Sequence, residues 1–268
     1  MPHAPSSALP DIAAHEAWFA AYAAGYCAAA AARDDAGPLL LKREHTARVL
    51  AHTRTIVTEE GFAPPVARAC VLAALYHDVA RFEQYARWHT FKDNLSANHG
   101  LLGVNILKQE ARLKDEAPAV RAWVLAAVGM HNRFALPAAQ AEARLVTTVV
   151  RDADKLDIFR IMAGHLCADA PYDGTVLLHV ANDDSLWTPC VVDACLAGRV
   201  ASYADLRSVN DFRLLLGTWV DDVRFAATKR ALYRSGIVPR LLAPLPDIPE
   251  VQAARAALLR RLQALSAF

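Results

Sequence analysis

Residues 71–80 read Val-Leu-Ala-Ala-Leu-Tyr-His-Asp-Val-Ala, and this stretch decides how the chain is organised. Its apolar, small-residue spacing describes a buried helix, yet it ends by setting His77 beside Asp78. Packing alone gives no reason for that pair. Burying an imidazole and a carboxylate together costs several kcal/mol unless a partner compensates both. A divalent cation would do so, and the rest of the chain can be searched for its other ligands.

Outward from this run the sequence is Ala- and Leu-rich with helical periodicity and few β-branched runs. Breakers fall between the periodic segments at Gly37-Pro38, Gly61 to Pro65, Pro118, Pro137 and Pro171 to Gly174, dividing residues 11–168 into about six or seven helices. Arg-Leu-Val-Thr-Thr-Val-Val-Arg (144–151) is strand-like but isolated, and it runs straight into an acidic helical segment. It is read as the start of a buried helix. No internal repeat is visible. Residues 1–10 read as a loose tail and 169–200 as less regular chain over the surface. Helical periodicity resumes at 209–225, and a linker at 244–249 precedes a last amphipathic helix at 250–266. The expected fold is all-α: a catalytic helical domain over 11–168, with 169–268 a helical extension packed on the same body.

Composition narrows the class of partner. With 29 basic against 28 acidic residues the formal charge is +1, which offers no long-range attraction to polymeric nucleic acid or an anionic membrane. A small anion held by a local cluster remains open, as does a homo-oligomer. The five cysteines are scattered without a CxxC pair, so neither a disulfide framework nor a thiolate zinc site is suggested, and a cytoplasmic location is expected. Residues 17–32 are Ala-rich and uncharged, but they lack a basic leader and fall short of the roughly 20 residues a span requires. They are read as a helix packed on the body.

Two segments offer ligands to join His77 and Asp78. His45 lies near the start of a helix whose apolar stripe continues through Val49 and Leu50. In Asp-Ala-Asp-Lys-Leu-Asp (152–157), Asp154 and Asp157 share a helical face and Asp152 does not; Asp154 looks inward with Ile158 and Ile161 and is the better ligand. His45, His77, Asp78 and Asp154 form a mixed N/O set suited to Mn, Fe, Ni, Co or Zn more than to Mg.

This His…His-Asp…Asp pattern resembles the HD superfamily of metal-dependent phosphohydrolases over about residues 42–160. His-Asp-Val-Ala-Arg (77–81) is similar to the family's His-Asp-x-Gly-Lys/Arg turn, with Ala80 where glycine is usual. Ala-Asp-Lys-Leu-Asp (153–157) is similar to its Ala-Asp-Lys/Arg-Leu helix, which also selects Asp154 over Asp152. Asn-His-Gly-Leu-Leu-Gly-Val-Asn-Ile-Leu (98–107) and Gly-Met-His-Asn-Arg-Phe (129–134) resemble segments carrying extra histidines in the dinuclear branches, so the resemblance adds His99 and His131 to the metal ligands. Where the related cyclic-di-GMP phosphodiesterases have two consecutive histidines, this chain has His131-Asn132, one ligand fewer for a second metal.

The implied activity is hydrolysis of a small phosphorylated substrate, a phosphomonoester or phosphodiester with nucleotides favoured. One divalent transition metal would activate water, and a second is left open. Arg81, one turn after His77, and Lys155, beside Asp154, are expected to steady the phosphate, with Arg133 a third cation and Asp157 supporting Lys155 or a ligand histidine. Any one of these histidines alone is more often structural; the ordered conjunction carries the reading. His52 is read as solvated or capping, while His3, His15, His89, His165 and His179 have no supporting context. The aromatics at 82, 85, 88 and 91 are read as core, with Trp88 or Lys92 a guess at substrate contact. Two rivals are a mixed-valent di-iron oxygenase and a sensor that binds nucleotide and metal without turnover.

Overall fold

The computed structural model describes residues 9–167 and 174–268. The expected loose tail at 1–10 lies almost wholly outside these residues, as do 168–173. Among the described residues there are twelve α-helices and no strand; the one β-type pairing is an isolated bridge between Ala181 and Ser208. The fold is all-α, and no described helix is long and apolar enough to cross a membrane. Met1–Asp154 and Lys155–Phe268 form two compact units.

The first unit holds α1 (Ala13–Ala31), α2 (Gly37–Glu60), α3 (Pro64–Tyr76), α4 (Ala80–Trp88), α5 (His99–Gln109), α6 (Pro118–Met130) and the beginning of α7 (Ala141–Leu166). Seven helices thus stand where six or seven were expected. The division between units falls inside α7, ahead of the boundary expected after residue 168. Prolines at the first turns of α3 and α6 start those helices where a missing N–H costs nothing. Gly61 ends α2 at φ 66°, the left-handed conformation in which a side chain is strained.

α3 is the centre of this unit, with α2 and α6 packed against it and α5 packed on α6. Residues 69–76 are all buried, which explains an apolar run without a polar stripe. α1 presents Phe19, Ala23, Cys27 and Ala30 inward at helical spacing. It is pinned to α3 through His15, whose ring contacts the Tyr76 hydroxyl at 2.8 Å and Glu116 at 3.0 Å. Arg68 closes that cluster with two bonds to Glu116, at 2.6 and 2.7 Å. His15 therefore has a structural context that its sequence neighbours did not signal. The strand-like 144–151 run lies within α7, where Val146, Val149 and Val150 are buried and Thr147 Oγ1 donates to the Ala143 carbonyl.

The second unit contains the rest of α7, then α8 (Pro189–Leu196), α9 (Val209–Thr218), α10 (Ala226–Ser235), α11 (Ile237–Leu242) and α12 (Pro249–Ala264). Within the less regular stretch 169–200 lies α8: Pro189 starts it, and Val191, Val192, Ala194 and Cys195 are buried, so this part does not run over the surface. α9 begins at a capping box, in which Ser208 and Asp211 satisfy each other's backbone N–H groups.

Candidate metal centre

His77 and His131 occupy equivalent corners. Each is the first residue beyond a 13-residue helix that opens on proline, α3 for His77 and α6 for His131. Each turns its Nδ1 back to the carbonyl three residues earlier, Ala74 or Val128, at 2.8 Å. A carbonyl can only accept, so Nδ1 donates and Nε2 is left as a lone pair pointing away from the helix. Each Nε2 meets the Nε2 of a histidine 32 residues earlier in the chain: His45 on α2 for His77, at 3.3 Å, and His99 at the start of α5 for His131, at 3.0 Å. The sequence shows no repeat, because these helix pairs share a geometry and few residues.

Asp78, in the turn from α3 to α4, stands between the pairs. Its Oδ2 lies 3.7 Å from the Nε2 of both His45 and His77. Its Oδ1 lies 3.5 Å from His99 Nε2 and 3.8 Å from His131 Nε2. Asp154 on α7 completes the first group, with Oδ1 3.1 Å from His45 Nε2 and 3.9 Å from His77 Nε2. The structure therefore brings together all six residues expected as metal ligands. They form two half-sites, His45–His77–Asp78–Asp154 and Asp78–His99–His131, sharing one carboxylate.

The donor set fits a cation. His99 Nδ1 lies 2.7 Å from an Asp93 carboxylate oxygen, so it donates and leaves Nε2 as a lone pair. Two imidazole lone pairs then face each other at 3.0 Å with a carboxylate oxygen beside them, a contact that repels unless a cation lies among them. Ligand atoms about 3.3 Å apart are what a tetrahedral ion with bonds near 2.0–2.1 Å requires. All four imidazoles are buried; burial holds His77 down to about 4 and His99 to about 3, with Asp78 opposing in both cases, so His77 and His99 are neutral and able to ligate at pH 7. For Asp78, burial would raise the carboxyl, but Lys42, His77 and Arg81 outweigh it and hold it well below the usual carboxylate range. Asp154 is lowered in the same way by His45 and His77 against the effect of burial.

The cations are placed less as expected. Arg81 lies at the centre but is tied into it: Nε donates to Asp78 Oδ1 at 3.3 Å, and one terminal nitrogen reaches Gln84, the Phe91 carbonyl and Asp93 at 2.7, 2.7 and 3.2 Å. Lys155 Nζ pairs with Asp222 Oδ2 at 2.8 Å within the second unit, where Asp157 accepts from Arg160 at 2.6 Å. The carbonyls of His131 and Arg133 both accept from Arg151, which anchors the chain after α6. Phe82 and Tyr85 are buried, as expected for core; Trp88 is exposed.

Two residues were missed from the sequence. Lys42, one turn before His45 on α2, sets Nζ 2.7 Å from Asp78 Oδ2. Asp93 accepts from His99, Arg81, Gln84 and Asn132; burial would raise its carboxyl, but His99, Arg81 and Gln84 outweigh it and hold it low. The i−3 spacing of Lys42 from His45 was a usable signal for the first. Asp93 lies in an irregular segment between α4 and α5, where no periodicity indicates where a side chain points.

Residues 43–158 match the family model for the HD domain. The chain contains an HD domain. The match includes all six candidate ligands, from His45 to Asp154. This domain characterises a superfamily of metal-dependent phosphohydrolases, most of whose members are hydrolases. No curated protein and no solved structure matches the chain.

Proposed function

We propose that this HD domain hydrolyses a small phosphate ester, a phosphomonoester or phosphodiester with nucleotides the favoured class, using two divalent transition metal ions. The observation that carries the reading is Asp78, whose two oxygens each face a separate pair of buried imidazoles. Two cations sharing a carboxylate suit the in-line displacement of phosphoryl transfer, which needs positive charge around both the entering and the leaving oxygen. Bound ions supply Lewis-acid polarisation and make hydroxide accessible near neutral pH.

The chain's own residues do the rest. The backbone carbonyls of Ala74 and Val128 fix the tautomers of His77 and His131. Arg81 holds Asp78 in place and buffers its charge. Lys42 is the cation this site offers to a phosphate. Its side chain is 18% exposed, and Asp78 is its one ion-pair partner among the described residues. Asp78 would help hold a bound ion, and Lys42 would then be able to turn its ammonium toward a substrate oxyanion. Lys155 pairs with Asp222 and Arg81 with Asp93 as well as Asp78, so neither depends on the Asp78 carboxylate alone as Lys42 does.

Purified protein loaded with Mn, Fe, Co or Zn and screened on nucleotides and generic phosphate esters should release phosphate or a phosphomonoester, and His77→Ala should abolish turnover. Absence of turnover with every metal would overturn the hydrolase reading. The shared carboxylate also suits the second reading, a di-iron oxygenase; oxygen uptake by iron-loaded protein without phosphate release would replace hydrolysis with it. Tight nucleotide binding with neither reaction would leave a sensor.

A further inference from the structure

The ligand histidines are not held alike. His77 and His131 follow helices and use a carbonyl of their own last turn. His99 begins a helix, so no preceding turn exists to supply that carbonyl. Its Nδ1 instead meets a carboxylate from a neighbouring segment, with Asp93 Oδ2 at 2.7 Å and Oδ1 at 2.9 Å.

Asp93 is itself fixed. Gln84 Nε2 donates to it at 3.1 Å while also reaching Ser96 and the Ala97 carbonyl, and Asn132 Nδ2 donates at 3.0 Å. Arg81 bridges it to the shared ligand, 3.2 Å from Asp93 Oδ1 and 3.3 Å from Asp78 Oδ1. The path closes through His99, whose Nε2 is 3.5 Å from that same Asp78 oxygen. Asp78, Arg81, Asp93 and His99 thus form a ring of contacts around one side of the second half-site. The contacts of Asp93 run directly to His99 and, through Arg81, to Asp78 Oδ1, the oxygen that faces the second pair of imidazoles.

We infer that Asp93 is the positioning residue of the second half-site, so that retention of the second metal ion depends on it and retention of the first does not. The inference rests on the two-ion reading of the centre. A carboxylate behind a ligand imidazole fixes its orientation and strengthens it as a donor, and losing such a partner costs about 10–100-fold in metal affinity.

The test is metal stoichiometry and affinity, by elemental analysis and titration of the full chain with Mn and Co, for wild type, Asp93→Asn and Asp93→Glu. Wild type should bind two ions. Asp93→Asn should keep one with unchanged affinity, which also certifies its fold, and bind the other about 10–100-fold more weakly. Asp93→Glu should recover part of that loss. The cobalt absorption spectrum should lose the contribution of one site. Two ions of unchanged affinity in Asp93→Asn would overturn the inference, whatever the enzyme hydrolyses. Equal weakening of both ions would reduce Asp93 to a general staple and overturn it too, as would a wild type that binds one ion. A wild type with two ions, a one-ion Asp93→Asn and no phosphatase activity would instead sink the hydrolase reading and leave this inference standing.

Discussion

The two half-sites share a plan and differ in charge. Both join a histidine beyond the C-terminus of a proline-initiated helix to another 32 residues earlier, and both lean on Asp78. The first adds Asp154, a carboxylate aimed at its imidazoles. At the position matching Asp78 after α6 the second has Asn132, whose amide donates to Asp93. The first half-site therefore offers two anionic ligands and the second shares one. Because metal affinity follows ligand charge and preorganisation, the two-ion proposal makes the first half-site the stronger and the second the weaker.

Removing the shared element should have the largest effect. Asp78→Asn keeps the shape but withdraws the charge from both half-sites, so both ions should weaken by more than about 100-fold, the upper cost of losing even an indirect partner. Titration followed by elemental analysis checks this; loss of a single ion would show that Asp78 does not bridge. Next in size are variants that separate the halves. Asp154→Asn should weaken the stronger ion and spare the weaker one, while His131→Gln should do the reverse. If both variants weaken the same ion, the division into halves is wrong.

A smaller effect is expected at Lys42. Lys42→Met removes a positive charge 2.7 Å from Asp78 Oδ2, so the first ion should bind somewhat more tightly. Inhibition by inorganic phosphate should weaken by about tenfold, the scale of one charge-assisted contact. Tighter metal with unchanged phosphate inhibition would leave Lys42 a mere charge balance for Asp78.

The smallest effect is on the stability of metal-stripped protein. His77 and His99 are held at about 4 and about 3 when folded, against 6.5 ordinarily. As pH falls below about 6.5 the unfolded chain takes up protons that the folded chain refuses, so this contribution is present above that pH and lost progressively toward about 4. The melting temperature of the stripped protein should therefore drop between pH 7 and 5, and His77→Gln should flatten that slope. A melting temperature independent of pH in this interval would contradict neutral, buried imidazoles.

Much of this was legible in the sequence because it rests on local signals. Pro64, Pro118 and Gly61 mark helix ends through backbone constraints that act within a turn. His45, His77, Asp78 and Asp154 stand out as polar residues in apolar frames, where burial demands a partner; His99 and His131 were added by the resemblance to the HD superfamily. What escaped notice depends on tertiary placement. Arg81 and Lys155 have the right spacing from their ligands, but spacing does not reveal that Gln84, Asp93 and Asp222 engage them. Asp93 sits in an aperiodic segment and gains its role only when α5 and α6 converge. There Gly100 allows the approach: a Cβ at that position would fall 2.9 Å from the Val128 carbonyl oxygen and from Asn132 Oδ1. The likeness of the two half-sites was equally hidden, since it resides in where helices end and hardly at all in which residues they contain.

Anomalous diffraction from a manganese-loaded crystal would reveal whether Asp78 joins two metal sites. Two peaks are expected about 3.5–4 Å apart on either side of Asp78, as in two-metal centres. The stronger should lie among His45, His77 and Asp154, and the weaker between His99 and His131. A single peak at full manganese loading, or two peaks that do not share Asp78, would contradict it.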